Sequence, residues 1–187
     1  MGKNKQGYTL IELTVSMAVI VIISSIALVN FNSHDKKNKV DLAAYQLAGD
    51  IRKAQSYALS LKEFDFGSGM EIPKGGWGLY LRDLASNIDG YYFFADDGDH
   101  RRENNEDYGG KVLFSSGAKI KQNNGLFIDG GGENPIFISF EPPNPTVWLC
   151  DNQGASCTSG TNAEIKITEG SYTRTVKVNK FGLVDVE

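Results

Sequence analysis

Residues 13–29 hold only apolar, Ser and Thr side chains, with no charge, proline or glycine. Extending the run to residues 8–31 adds a single charged side chain, Glu12. A helix of about 20 apolar residues matches the hydrocarbon core of a bilayer, and this stretch is too uniformly apolar for an ordinary surface helix. The pattern then changes. Val40, Ala44, Leu47, Ile51, Ala54, Ala58 and Leu61 recur at alternating steps of four and three, while Asp41, Asp50, Arg52, Lys53 and Lys62 fall elsewhere on the wheel. That spacing predicts an amphipathic helix whose small-residue seam packs closely on a sheet. Between the two stretches, residues 30–35 combine poor helix formers with good capping residues, which predicts a fray or restart. If residues 8–62 are nearly continuous they make a rod of roughly 80 Å.

Beyond residue 62 the helical period gives way to short, aromatic-rich, alternating runs divided by turn residues. Residues 77–81, 91–95, 111–114, 125–128, 136–140, 146–149, 164–167 and 174–178 are eight expected strands. Gly75-Gly76, the glycine run at 130–132 and Gly170-Ser171 supply turns between them. The expected fold class is therefore α+β: a long N-terminal helix packed on a C-terminal antiparallel β-sheet head.

Composition narrows the chemistry. Of 187 residues, 41% are apolar and 22% charged, which is globular rather than disordered. The net charge of -4 gives no general attraction to nucleic acid, so nucleic acid is not an expected partner unless Arg101, Arg102, Lys111, Lys119 and Lys121 share a face. Two Cys and two His are too few for an ordinary four-ligand zinc site. His34 and His100 are the only histidines available to a nucleophilic arrangement, and Gly75-Gly76-Trp77-Gly78 lacks the lysine and following helix of a phosphate loop. An enzyme is not expected, and no cofactor is required.

Two weaker features carry possible chemistry. Cys150 and Cys157 enclose six residues, a loop that a disulfide closes easily in an extracytoplasmic domain. Asp96, Asp97 and Asp99, followed by Glu103, Glu106 and Asp107, concentrate hard oxygen ligands of the kind calcium takes. Their spacing does not match a twelve-residue helix-loop-helix site, and Asp97-Gly98 also suits a hairpin turn with a solvated acidic tip, which is the preferred reading. His100 beside Arg101 and Arg102 reads as part of a local charge network.

The N-terminal run admits an ordinary secretory signal, with Lys3 and Lys5 as its basic region and Ser25-Ile26-Ala27 as a small-residue cleavage site. The product would be a secreted or membrane-anchored β-rich binding module using aromatics such as Trp77, Tyr91, Tyr92 and Trp148. Glu12 argues against it. An acid inside a membrane segment costs about 2 to 3 kcal/mol on insertion scales, and a simple signal peptide has no use for one.

The stretch Lys5-Gln6-Gly7-Tyr8-Thr9-Leu10-Ile11-Glu12-Leu13 closely resembles the processing signal of type IV pilins and the pseudopilins of type II secretion. The resemblance implies cleavage by a prepilin peptidase between Gly7 and Tyr8, N-methylation of Tyr8, where phenylalanine is the usual residue, and Glu12 as the fifth mature residue. It divides the chain into a leader (1–7), a transmembrane and assembly helix (8–31), an amphipathic stem (32–63) and a β-rich head (64–187). Three head stretches, 75–81, 91–97 and 140–145, together with the closing 178–184, resemble minor pseudopilins of the H type. A pilin-like subunit of this kind would sit once through the bacterial cytoplasmic membrane with its head outside. Its partners would be other pilin or pseudopilin subunits, the peptidase, the membrane platform of the assembly machine and the lipid bilayer. A DNA-uptake filament is an alternative machine, although loss of Lys3 and Lys5 with the leader moves the net charge from -4 to -6.

The chemistry of that signal can be stated from the residues alone. Cleavage after Gly7 places a positive amine at the positive end of a helix dipole. Glu12 lies one turn on, on the same face, where its carboxylate can pair with the amine of its own Tyr8 or with that of a neighbouring subunit.

Overall fold

The computed structural model describes residues 7–82, 88–99, 102–114, 117–121, 126–128, 135–143, 146–151 and 161–187, the side chains of residues 27–33 and of Asn104, Phe127 and Asp151 excepted. Helix α1 runs without interruption from Leu10 to Leu59. Fifty residues give it a length of about 75 Å. The fray expected at residues 30–35 does not occur. Propensity differences of a few tenths of a kcal/mol per residue are small beside an unbroken ladder of backbone hydrogen bonds. The helix ends two residues earlier than its apolar period suggests. Ser60 donates its N–H back to Ser56 and Ala58, and Leu61 turns to a φ of 52°. Leu61 therefore leaves the seam and stands exposed.

Two antiparallel sheets pack along the second half of this helix. The first has the spatial order β5-β4-β3-β8-β9, built from β3 (Gly76–Leu81), β4 (Gly90–Asp96), β5 (Asp107–Leu113), β8 (Ile136–Glu141) and β9 (Thr146–Asp151). The second runs β12-β11-β10-β6, with β6 (Lys119–Ile120), β10 (Asn162–Glu169), β11 (Tyr172–Asn179) and β12 (Val184–Val186), and β7 (Leu126–Ile128) also pairs with β10. A small hairpin of β1 (Phe64–Asp65) and β2 (Met70–Glu71) follows the helix. The architecture is α+β, with an N-terminal helix and a C-terminal antiparallel sheet region, and is compatible with a pilin-like fold. All eight expected strands are present; β1, β2, β6 and β12, two or three residues each, are additional.

The core lies between the helix and both sheets. Val40, Ala43, Ala44, Leu47, Ala48, Ile51, Ala54 and Ala58 are buried against Trp77, Leu79, Leu81, Tyr91, Phe93, Ile138, Phe140, Ile165, Val176 and Val178. Alanines dominate the helix stripe because small side chains let the helix axis approach the pleated surface closely. Strand alternation sends the remaining residues of the first sheet to its other face, where Tyr80, Phe94, Phe137 and Cys150 form a second buried cluster. Gly76 is demanded by both conformation and space: its φ is +86°, and a Cβ there would lie 1.9 Å from the carbonyl oxygen of Phe140.

Polar clamps fix the rotation of the helix on this surface. Asp41 pairs with Arg174 at 2.6 Å, Arg52 donates to the Val184 carbonyl at 2.9 Å, and the buried Tyr91 hydroxyl donates to Asp50 at 2.5 Å. Burial, with Asp50 beside it, pushes the Tyr91 pKa well above its ordinary value, so the phenol stays a donor. At the far end of the helix Lys62 sits among rings, its Nζ 3.6 Å from the centre of Tyr57 and 4.3 Å from that of Tyr108. Trp77 donates its indole N–H to the Lys62 carbonyl at 3.0 Å.

Candidate processing and assembly site

The first helical turn is closed by a capping box that the apolar pattern alone does not reveal. Thr9 is the N-cap, its hydroxyl accepts the Glu12 N–H at 3.3 Å, and the Glu12 carboxylate accepts the Thr9 N–H at 3.5 Å. The sequence signal was there to read: Thr followed three residues later by Glu is the capping-box spacing. Glu12 thereby has a task in the uncleaved chain, satisfying a helix N-terminal donor and meeting the positive end of the dipole. Its carboxylate is anchored one residue from the nitrogen of Tyr8, where cleavage after Gly7 would create an amine.

Around this cap the chain is open. No described heavy atom would come within 4 Å of a Cβ at Gly7, and Tyr8 is 86% exposed. Leu10, Ile11, Leu13, Val15, Met17, Val19 to Ile23 and Ile26 are all exposed as well. The hydroxyls within this run do not need water. Thr14 donates to the Ile11 carbonyl at 2.9 Å, Ser16 to that of Glu12 at 2.7 Å and Ser25 to that of Val21 at 2.8 Å. Polar side chains satisfied by their own helix are compatible with an apolar surrounding.

Residues 2–28 match a family model described as the prokaryotic N-terminal methylation motif. The match supports a type IV pilin-like reading of the N-terminus and covers these residues alone. No curated protein and no solved structure matches the chain. Among the described residues no helix is long and apolar enough to cross a membrane; the described side chains of the apolar run stop at Ile26 and resume at His34.

Asp97, Gly98 and Asp99 are exposed, as expected of a solvated acidic tip, whereas Asp96 is fully buried and Glu106 is 1% exposed. Asp96, Asp97, Asp99 and Glu106 bring one carboxylate oxygen each to within 4.8 Å of one another. A short 3-10 turn at Asn104–Glu106 carries Glu106 back across the loop. Its two oxygens accept the N–H groups of Asp97 at 3.0 Å and Glu103 at 2.6 Å, while Asp96 accepts that of Gly98 at 2.8 Å. Burial, with Asp96 and Asp97 nearby, pushes the Glu106 pKa up to about 7 despite those two donors. These four residues are the ones whose donor chemistry suits a hard divalent cation, and backbone N–H groups already organise them. Of the three acids that follow the expected trio, Glu106, ten residues from Asp96, is the one the fold brings back to it.

Several other expectations find their places. Cys150 is buried on the outer face of the first sheet, and Cys157 lies outside the described residues, as do Lys3, Lys5, His100 and Arg101. Trp77 and Tyr91, candidates for ligand-binding aromatics, are each 1% exposed and belong to the core. Tyr92 and Trp148 are partly buried against the outer-face cluster. Trp148 donates its indole N–H to Glu141 at 2.6 Å.

Proposed function

We propose that this chain is a structural, non-enzymatic subunit of a type IV pilus-like or type II secretion filament, of the minor pilin or pseudopilin kind. Prepilin peptidase removes residues 1–7, Tyr8 is N-methylated, and residues 8–31 hold the subunit in the bacterial cytoplasmic membrane with the head outside. The observation that carries this reading is the coexistence of the methylation motif at residues 2–28 with a helix half whose described apolar side chains from Leu10 to Ile26 stand exposed among the described residues. Such a surface is stable only in lipid or against other helices. On leaving lipid it packs against the stems of other pilin or pseudopilin subunits, driven by a separate membrane platform.

Glu12 is the assembly residue in this account. Once the leader is gone, its carboxylate neutralises the Tyr8 amine of its own or a neighbouring stem, so the pair sets axial register as well as charge balance. We further propose that Cys150 and Cys157 form a disulfide at the end of β9. The secreted binding module is disfavoured by the burial of Trp77 and Tyr91.

Mass spectrometry of the mature N-terminus tests the reading. An N-methylated chain beginning at Tyr8 is expected; retention of Met1, or a start at Leu28, overturns it. Glu12→Ala is expected to be cleaved normally and to fail in filament incorporation, read by crosslinking in cells. Incorporation at the wild-type level would defeat the charge-pairing step alone.

A further inference from the structure

The outer face of the first sheet carries a second feature unrelated to the helix. Tyr80 on β3, Gly90 and Tyr92 on β4, Lys111 on β5, and Arg82, Ile88 and Arg102 from the connections surround one cavity of about 150 Å³. A water molecule takes about 30 Å³ in the liquid, so the space holds a small polyatomic group. Three cations reach it from separate elements, together with two phenol side chains.

Charge and geometry restrict what fits. Arg102 is held in place by Asp107, donating from Nε at 2.6 Å and from Nη2 at 2.5 Å. That bidentate pair uses two of its five N–H donors. Its guanidinium lies 3.9 Å from the centre of the Tyr92 ring and 5.2 Å from that of Tyr80. Lys111 pairs with Asp89. Arg82 lies beside Tyr80 on the cavity wall, and none of the ion pairs among the described residues includes it. Among the described residues, two carboxylates thus pair with two of three cations, leaving an excess of one positive charge at the cavity.

The aromatic faces are already occupied. Arg102 covers Tyr92, and Phe137 lies against Tyr80 with ring centres 4.7 Å apart. Each ring thus already has a stacking partner on one face. What remains for a ligand is a ring of N–H and O–H donors around a small positive space, which is the complement of a compact oxyanion.

We propose that this pocket binds a single phosphate or carboxylate group, with Arg82 and Lys111 supplying charge, Arg102 a pre-oriented donor edge, and the Tyr80 and Tyr92 hydroxyls completing the shell. The site is independent of the filament reading, since no group in it belongs to the N-terminal helix.

The test uses the full chain in an uncharged maltoside detergent, titrated calorimetrically with inorganic phosphate and, separately, with glucuronate. Saturable one-to-one binding with a Kd near or below about 1 mM is expected for at least one of them, each competing with the other. Tighter phosphate binding assigns a phosphoryl group, and tighter glucuronate binding a carboxylate. Arg82→Gln, at an exposed position, is expected to weaken binding about tenfold, the usual weight of one charge-assisted hydrogen bond, with an unchanged melting midpoint in the absence of probe. Lys111→Gln is expected to act in the same direction. Absence of saturable binding for both probes, or wild-type affinity in Arg82→Gln, overturns the proposal.

Discussion

The two halves of one helix obey opposite rules. From Val40 to Ala58 the apolar stripe is buried to 1% exposure or less, whereas from Leu10 to Ile26 every large apolar residue is between 48% and 82% exposed. The backbone does not distinguish them, since α1 is unbroken. What differs is destination. The second half has a period that segregates small apolar residues to one side, so a sheet can take that side while charges stay in water. The first half is apolar all round, and no intramolecular surface can bury every side of a helix that projects beyond its own domain.

The comparison can be broken or sharpened by mutation. The largest effect is expected at Leu47, fully buried where the helix meets the sheets. Leu47→Ala should cost the head about 3 kcal/mol through lost burial and a residual cavity, read as a lowered denaturant midpoint. Next comes Tyr91→Phe, which removes the donor from Asp50 and should cost about 2 kcal/mol, a typical value for a hydrogen bond to a charged group. A loss as large as that of Leu47→Ala would mean that polar clamping, not apolar burial, dominates the docked half.

Glu106 provides a pH-dependent test of the head alone. Its folded pKa is about 7, raised from 4.5 mainly by burial. Between those values the folded state holds a proton that the unfolded state has released, so stability falls as pH rises from 4.5 to 7. The favourable contribution is complete below pH 4.5 and lost above 7. In chelator-containing buffer, Glu106→Gln should flatten that part of the melting-midpoint profile; an unchanged slope would show that the carboxyl is not the group responsible.

The smallest effect is expected in the free half of the helix. Ile20→Ala should change the stability of the head by less than about 0.5 kcal/mol, because Ile20 is 61% exposed and does not belong to the buried core. A loss comparable with that of Leu47→Ala would refute the division of the helix into a docked and an undocked part.

Much of the head was legible in advance because strands of six to eight residues leave a period that can be seen. Of the strands of two or three residues, β7 was read from its apolar Leu-Phe-Ile run, whereas β1, β2, β6 and β12 were not, since so few residues carry no period. Leu61 misled because the heptad arithmetic continues past the point where Leu61 itself leaves the helical region at φ 52°. Glu12 was found for its charge, while its pairing with Thr9 in the capping box went unread.

Local chemistry by itself determined the N-terminal methylation motif, the apolar run, the amphipathic stem and the antiparallel head, since each rests on spacing within a few residues. Only the tertiary structure decided that the stem continues the apolar run without a break, that Asp96 and Glu106 share a buried corner, and that Arg82, Arg102 and Lys111 surround one cavity. The last two outcomes depend on residues brought together by chain folding across ten to thirty positions, a distance over which neither periodicity nor composition carries information about direction.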